Sequence, residues 1–138
     1  MGALKRVARY LAGTKELVVR LELDRDVKPG HVHLVGWADS DWAGDQATRR
    51  SQTSGFITAD GIAMRSFSRR QATVATSSAA AELYAMAAVA EELMLFREVV
   101  IFFGLEPAAE LRSDSSAARG IARREGVGKM KGLEVRTL

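Results

Sequence analysis

The chain has 138 residues, 47% hydrophobic and 27% charged. That is the size and balance of one globular domain and excludes a largely disordered chain. It has no cysteine, which excludes disulfides, thiolate zinc sites and a cysteine nucleophile, and no apolar run reaches the ~18 residues of a membrane span. The net charge of +3 falls in blocks: residues 1–28, 65–71 and 112–138 are basic, and 29–64 and 72–111 are acidic. Such blocks suit either solvated faces or a polyanion held around metal ions.

The first element in chain order is a helix, with Leu4, Val7, Ala8 and Leu11 on one face and Gly13 as its cap. Leu17 to Leu23 ends in strand-like alternation, and Pro29-Gly30 punctuates the chain. His31 to Asp39 reads as a strand with Val32, Leu34, Gly36 and Ala38 on one face and His33, Val35, Trp37 and Asp39 on the other. A polar loop follows from Asp41 to Thr53. Gly55–Ala59 and Ile62–Phe67 then form two strands around Asp60-Gly61, a strong hairpin signal.

Thr76-Ser77-Ser78 offers hydroxyl caps to a long helix whose stripe is Glu82, Met86, Val89, Leu93, Phe96, Val100 and Phe103, ended by Gly104. Glu110 to Ser113 is a short strand, and Ser115 to Glu125 a second helix after it. The order β-β-β-α-β-α predicts an α+β fold in which a three-stranded antiparallel meander gains a fourth strand parallel to the first.

Three acids stand out. Glu82 heads an otherwise apolar stripe, where ionisation is costly unless it is compensated or the side chain reaches water. Asp39 sits at the end of a strand, a place that also suits a turn residue. Asp114 lies where the fourth strand turns into a helix, a place that also suits an N-cap. The predicted topology lets all three converge at one end of the sheet. Converging carboxylates repel, and a hard divalent cation relieves the repulsion. An all-oxygen set favours Mg²⁺ or Mn²⁺ and suits in-line displacement at phosphorus. Arg65, Arg69 and Arg70 read as phosphate contacts or as a solvated basic turn. His31 and His33 share a face but lack an evident third ligand. Trp37 and Trp42 read as packing or as base-stacking residues.

Asp39-Ser40-Asp41-Trp42-Ala43-Gly44-Asp45, Arg49 to Gly55, Ser68 to Ser78 leading to Ala81-Glu82, Ser113-Asp114-Ser115 and Lys129 to Arg136 resemble, in order, the ribonuclease H domain of copia-type retrotransposon polyproteins. Leu4 to Thr14 resembles the tail of the preceding reverse transcriptase, so residues 1–28 are expected to be that tail and 29–138 a ribonuclease H-like domain. The resemblance implies a two-metal nuclease, with two Mg²⁺ or Mn²⁺ ions, that hydrolyses the RNA strand of an RNA–DNA hybrid. Asp39 would bridge both ions, with Glu82 and Asp114 on either side. Arg65, Arg69, Arg70, Lys129 and Lys131 would contact the nucleic-acid backbone. The implied setting is intracellular, in a cytoplasmic particle or nucleus, beside a reverse transcriptase and with no membrane.

The sequence departs from that family in three ways. Ala80 replaces a usual second glutamate, and Gly132 and Glu134 stand where a histidine and an aspartate often occur. The fifth strand and the final helix that bears the fourth carboxylate are expected beyond Leu138, with Glu134 the candidate for that place within this chain. These departures keep open a degenerate module that binds nucleic acid without cutting it, beside a purely structural interaction domain.

Overall fold

A computed structural model describes residues 2–18, 21–22 and 28–124. Its elements are α1 (Gly2–Gly13), β1 (His31–Asp41), β2 (Gln52–Ala59), β3 (Ile62–Arg70), α2 (Ser78–Phe102), β4 (Glu106–Arg112) and α3 (Ser116–Ala122). The four strands form one mixed sheet in the order β3-β2-β1-β4. β1–β2 and β2–β3 are antiparallel, and β4 runs parallel to β1 after the α2 crossover. This is the α+β arrangement expected of a ribonuclease H-like fold.

The β2–β3 turn forms because Asp60 and Gly61 both take positive φ, +47° and +82°. That is the conformation whose twist matches a tight hairpin, and aspartate and glycine tolerate it best. α2 starts where the Ser77 hydroxyl accepts the Ala80 N–H at 3.1 Å and stops before Gly104 at φ +74°. Its buried residues Ala85, Met86, Val89 and Leu93 pack on Leu34, Ala38 and Ile57 of the sheet and on Ala118 of α3. The helix lies close because Gly36 and Gly55 present no side chain beneath it. A Cβ at Gly36 would meet Val89 Cγ1 at 2.7 Å and Leu93 Cδ1 at 2.8 Å.

Several boundaries differ from the sequence expectation. Phe103 was expected on the buried stripe, but it follows the helix as its cap and is 69% exposed. β4 begins at Glu106 and not Glu110, because its pairing with β1 is made by the backbone and needs no apolar alternation. Pro107 is tolerated there since β4 lies at the edge of the sheet among the described residues. β1, β2 and β3 likewise extend into polar residues as far as Asp41, Gln52 and Arg70. Leu17, Val18 and Leu21 are exposed and in no strand, and the rest of that expected alternation lies partly outside the described residues. α1 includes Gly13 and buries none of its residues. Glu125 lies outside the described residues, and α3 ends at Ala122.

Candidate metal centre

The sheet brings the three acids together at the C-terminal ends of β1 and β4. Asp39 sits near the end of β1, opposite Ser54 of β2. β4 pairs with β1 as far as Trp37 and Arg112, so Asp114 emerges beside Asp39. Glu82 comes from the second turn of α2, which packs across β1. One carboxylate oxygen from each residue lies within 4.8 Å of the others.

The capping role open to Asp114 is taken by another residue. The cap of α3 is Ser115, whose hydroxyl accepts the Ala118 N–H at 3.1 Å, so Asp114 is left free of capping. Glu82 is half-buried; its Oε1 accepts the Ser40 backbone N–H at 3.3 Å, while its Oε2 is buried with no hydrogen-bond partner among the described residues. Burial pushes the Glu82 carboxyl above its ordinary value. Hydrogen bonding from Ser40 opposes this, and the charges of Asp39 and Asp114 push it further up. None of the three acids pairs with a cationic side chain among the described residues.

An orphaned buried oxygen among mutually repelling carboxylates is the environment that a hard cation completes. The donor set is all oxygen, so the residues present fit a metal ion and this triad can hold one.

The basic residues divide. Arg69 and Arg70 lie at the same end of the sheet as Asp39, two strands away. Arg70 is paired with Asp45 at 3.2 Å, and Arg69 lies over the Phe67 ring. Arg65 is directed to α2, where it pairs with Glu92 at 3.1 Å, and is not drawn towards the acids. Lys129, Lys131 and Glu134 lie outside the described residues.

His31 and His33 each face a glutamate of β4, Glu106 at 3.2 Å and Glu110 at 3.7 Å, and do not converge on one point. Trp42 donates to the Ala75 carbonyl, which ties down the segment that leads into α2. Trp37 packs against Phe56 on the sheet face away from α2, with the Arg112 guanidinium over its ring. Trp37, Phe56, Arg112 and the two aspartates line an open depression of about 480 Å³ beside the acids. Sequence reasoning missed Gln71, which follows β3, is buried, and bonds to both Thr53 and Ala81. A glutamine after a basic run carries no signal that it will be interior.

No protein-family model matches the chain, and no solved structure matches it. Among curated proteins it is 40% identical over 90 residues to secreted RxLR effector protein 161 of Plasmopara viticola, and 43% identical over 91 residues to an uncharacterized mitochondrial protein of Arabidopsis thaliana. It is 35% identical over 105 residues to a retrovirus-related Pol polyprotein from transposon RE2 of Arabidopsis thaliana. These matches cover 65%, 65% and 75% of this chain, but only 60%, 35% and 7% of the relatives. The chain is thus similar in sequence to a small part of a Pol polyprotein, and it has an α+β fold and an acidic cluster. No helix among its described residues is long and apolar enough to cross a membrane.

Proposed function

We propose that this chain carries a ribonuclease H-type site that hydrolyses the RNA strand of an RNA–DNA hybrid with Mg²⁺ or Mn²⁺. The observation that carries the reading is the convergence of Asp39, Glu82 and Asp114, from three separate elements, with one buried Glu82 oxygen left unpartnered. Similarity to a Pol polyprotein supports it, because copying an RNA genome creates the hybrid that such a site removes. When bound, divalent ions supply the positive charge that activates water and stabilises the leaving 3′-oxygen.

The chain's own residues contribute position and charge. Asp39, Glu82 and Asp114 would hold the ions, and Ser40 N–H keeps the Glu82 carboxylate turned towards Asp39. Arg69, at the same end of the sheet, is available to a phosphate, and selectivity for RNA would rest on 2′-hydroxyl contacts. Lys129 and Lys131 would extend this contact, and residues 1–28 would be the tail of a reverse transcriptase domain. By the family pattern a fourth carboxylate completes the set, with Glu134 the candidate within this chain.

A second reading is a module that binds the hybrid without cutting it. The buried Ala80 favours it: this side chain packs with Ala75, Ala81 and Tyr84 where the related family carries a second glutamate.

The two readings separate when cleavage and binding of a labelled hybrid are measured on one sample, with Asp39→Asn as control. Cleavage that depends on Mg²⁺ or Mn²⁺ and is lost in Asp39→Asn, with binding kept, supports the nuclease. Binding with no wild-type cleavage supports the module, and no salt-dependent binding at all sinks both.

A further inference from the structure

We infer that Gln71 is a positioning residue for the metal centre, setting the place of Glu82 relative to Asp39; this rests on the reading of the three acids as a metal site. Gln71 lies just beyond β3 and is only 7% exposed. Its backbone N–H donates to the Ser51 carbonyl at 2.8 Å, which fixes the residue against the start of β2. Its side-chain Nε2 donates twice, to Thr53 Oγ1 at 3.0 Å and to the Ala81 carbonyl at 2.9 Å. A carbonyl can only accept, so the amide nitrogen must face Ala81, and the Thr53 hydroxyl takes its second hydrogen. The amide oxygen is then left buried with no partner among the described residues.

The atoms that Gln71 ties are next to the ligands. Ala81 immediately precedes Glu82. Thr53 is the cross-strand partner of Ser40, which follows Asp39 and donates to Glu82. One side chain therefore links the first turns of α2 to the strand pair that carries Asp39. Apolar contacts from Ala85 and Met86 to Val89 and Leu93 hold α2 on the sheet, but such packing is non-directional, whereas the two Gln71 hydrogen bonds fix a register at this end. Without the amide, α2 stays docked by its apolar face but loses the directional bonds that set its first turns against the β1–β2 pair. Partners of this kind, which orient the ligands without touching the ion, are typically worth about 10–100-fold in metal affinity.

The test is Mn²⁺ affinity of the whole chain, read from the free-ion electron paramagnetic resonance signal, at a temperature where circular dichroism shows each variant folded. Gln71→Met keeps the volume and removes both donors. Thr53→Val removes one acceptor. Val89→Ala loosens the core away from the acids. The expected result is roughly tenfold weaker Mn²⁺ binding in Gln71→Met, a smaller loss in Thr53→Val, and wild-type affinity in Val89→Ala. If Gln71→Met does not fold, Thr53→Val decides, and wild-type affinity in that variant overturns the inference. Wild-type affinity in a folded Gln71→Met, or an equal loss in Val89→Ala, also overturns it and leaves the metal site standing. A wild-type chain that binds no Mn²⁺ overturns the metal site and this inference together.

Discussion

Gly36→Ala is the sharpest probe of how closely α2 is seated on the sheet. The added Cβ would lie 2.7 Å from Val89 Cγ1, 2.8 Å from Leu93 Cδ1 and 3.0 Å from Leu93 Cγ. All three are well inside ordinary carbon–carbon contact of roughly 3.5–4.0 Å. Tilting the helix does not relieve the clash, because Val89 Cγ2 is also close over Gly55, at 2.9 Å from a Cβ built there. Alanine in a strand would by itself gain about 0.5–1 kcal/mol over glycine from lower unfolded-state entropy. Overpacking typically costs about 1–3 kcal/mol, and with contacts this short the upper half of that range applies, so the net loss is about 1–2 kcal/mol. Val89→Ala alone empties a fully buried site and costs about 2 kcal/mol. Combined, the two changes partly compensate, since the new methyl occupies space that Val89 vacates, and the double variant should beat additivity by about 1 kcal/mol. Urea unfolding followed by circular dichroism measures all four chains. A neutral or stabilising Gly36→Ala, or strict additivity in the double variant, would refute the close seating of α2.

Further predictions concern charge. Because burial raises the Glu82 carboxyl in the folded state, the folded chain holds that proton more tightly than the unfolded one. The metal-free protein should therefore lose stability as pH rises from the ordinary glutamate value through the raised one. Glu82→Gln should flatten that limb and raise the melting temperature at pH 7 in chelator, and an unchanged pH profile would count against the raised value. Asp45 behaves oppositely: the Thr48 hydroxyl and N–H, then the Ala47 N–H and Arg70, lower it from 3.8 to about 2. Its contribution is complete above 3.8 and is lost as pH falls through about 2, which a carboxyl-detected NMR titration would show as a midpoint well below that of a free aspartate.

Much of the fold was legible because it rests on strong local signals. Asp60-Gly61 dictates its own turn, and the alternation in β1 places Leu34 and Ala38 beneath α2. The missed parts lack side-chain signals. Pro107-Ala108-Ala109 joins the sheet through its backbone along β1, which no periodicity marks. The apolar spacing of α2 runs on to Phe103, but Gly104 turns the chain first and leaves Phe102 and Phe103 edge to face on the surface.

The site divides in the same way. Glu82 and Asp39 were conspicuous because acids are costly on an apolar stripe and in a strand, whereas Asp114 needed the structure to show that Ser115 takes the cap. Arg65 was grouped with Arg69 and Arg70 by proximity in sequence. Strand alternation turns Arg65 and Arg69 to the α2 side and Arg70 to the other, and the clasp with Glu92 holds Arg65 away from the acids. Gln71 was invisible because a buried amide and a surface one look alike in sequence.

Titration of Mn²⁺ into the ¹⁵N-labelled chain tests the metal centre most directly, since the bound ion broadens nearby amide signals. Early, selective loss of the signals of Asp39, Ser40, Glu82, Asp114 and Ser115, abolished in Asp39→Asn, is the predicted result. Broadening spread evenly over the surface, or centred on other acids and unchanged in Asp39→Asn, would contradict it.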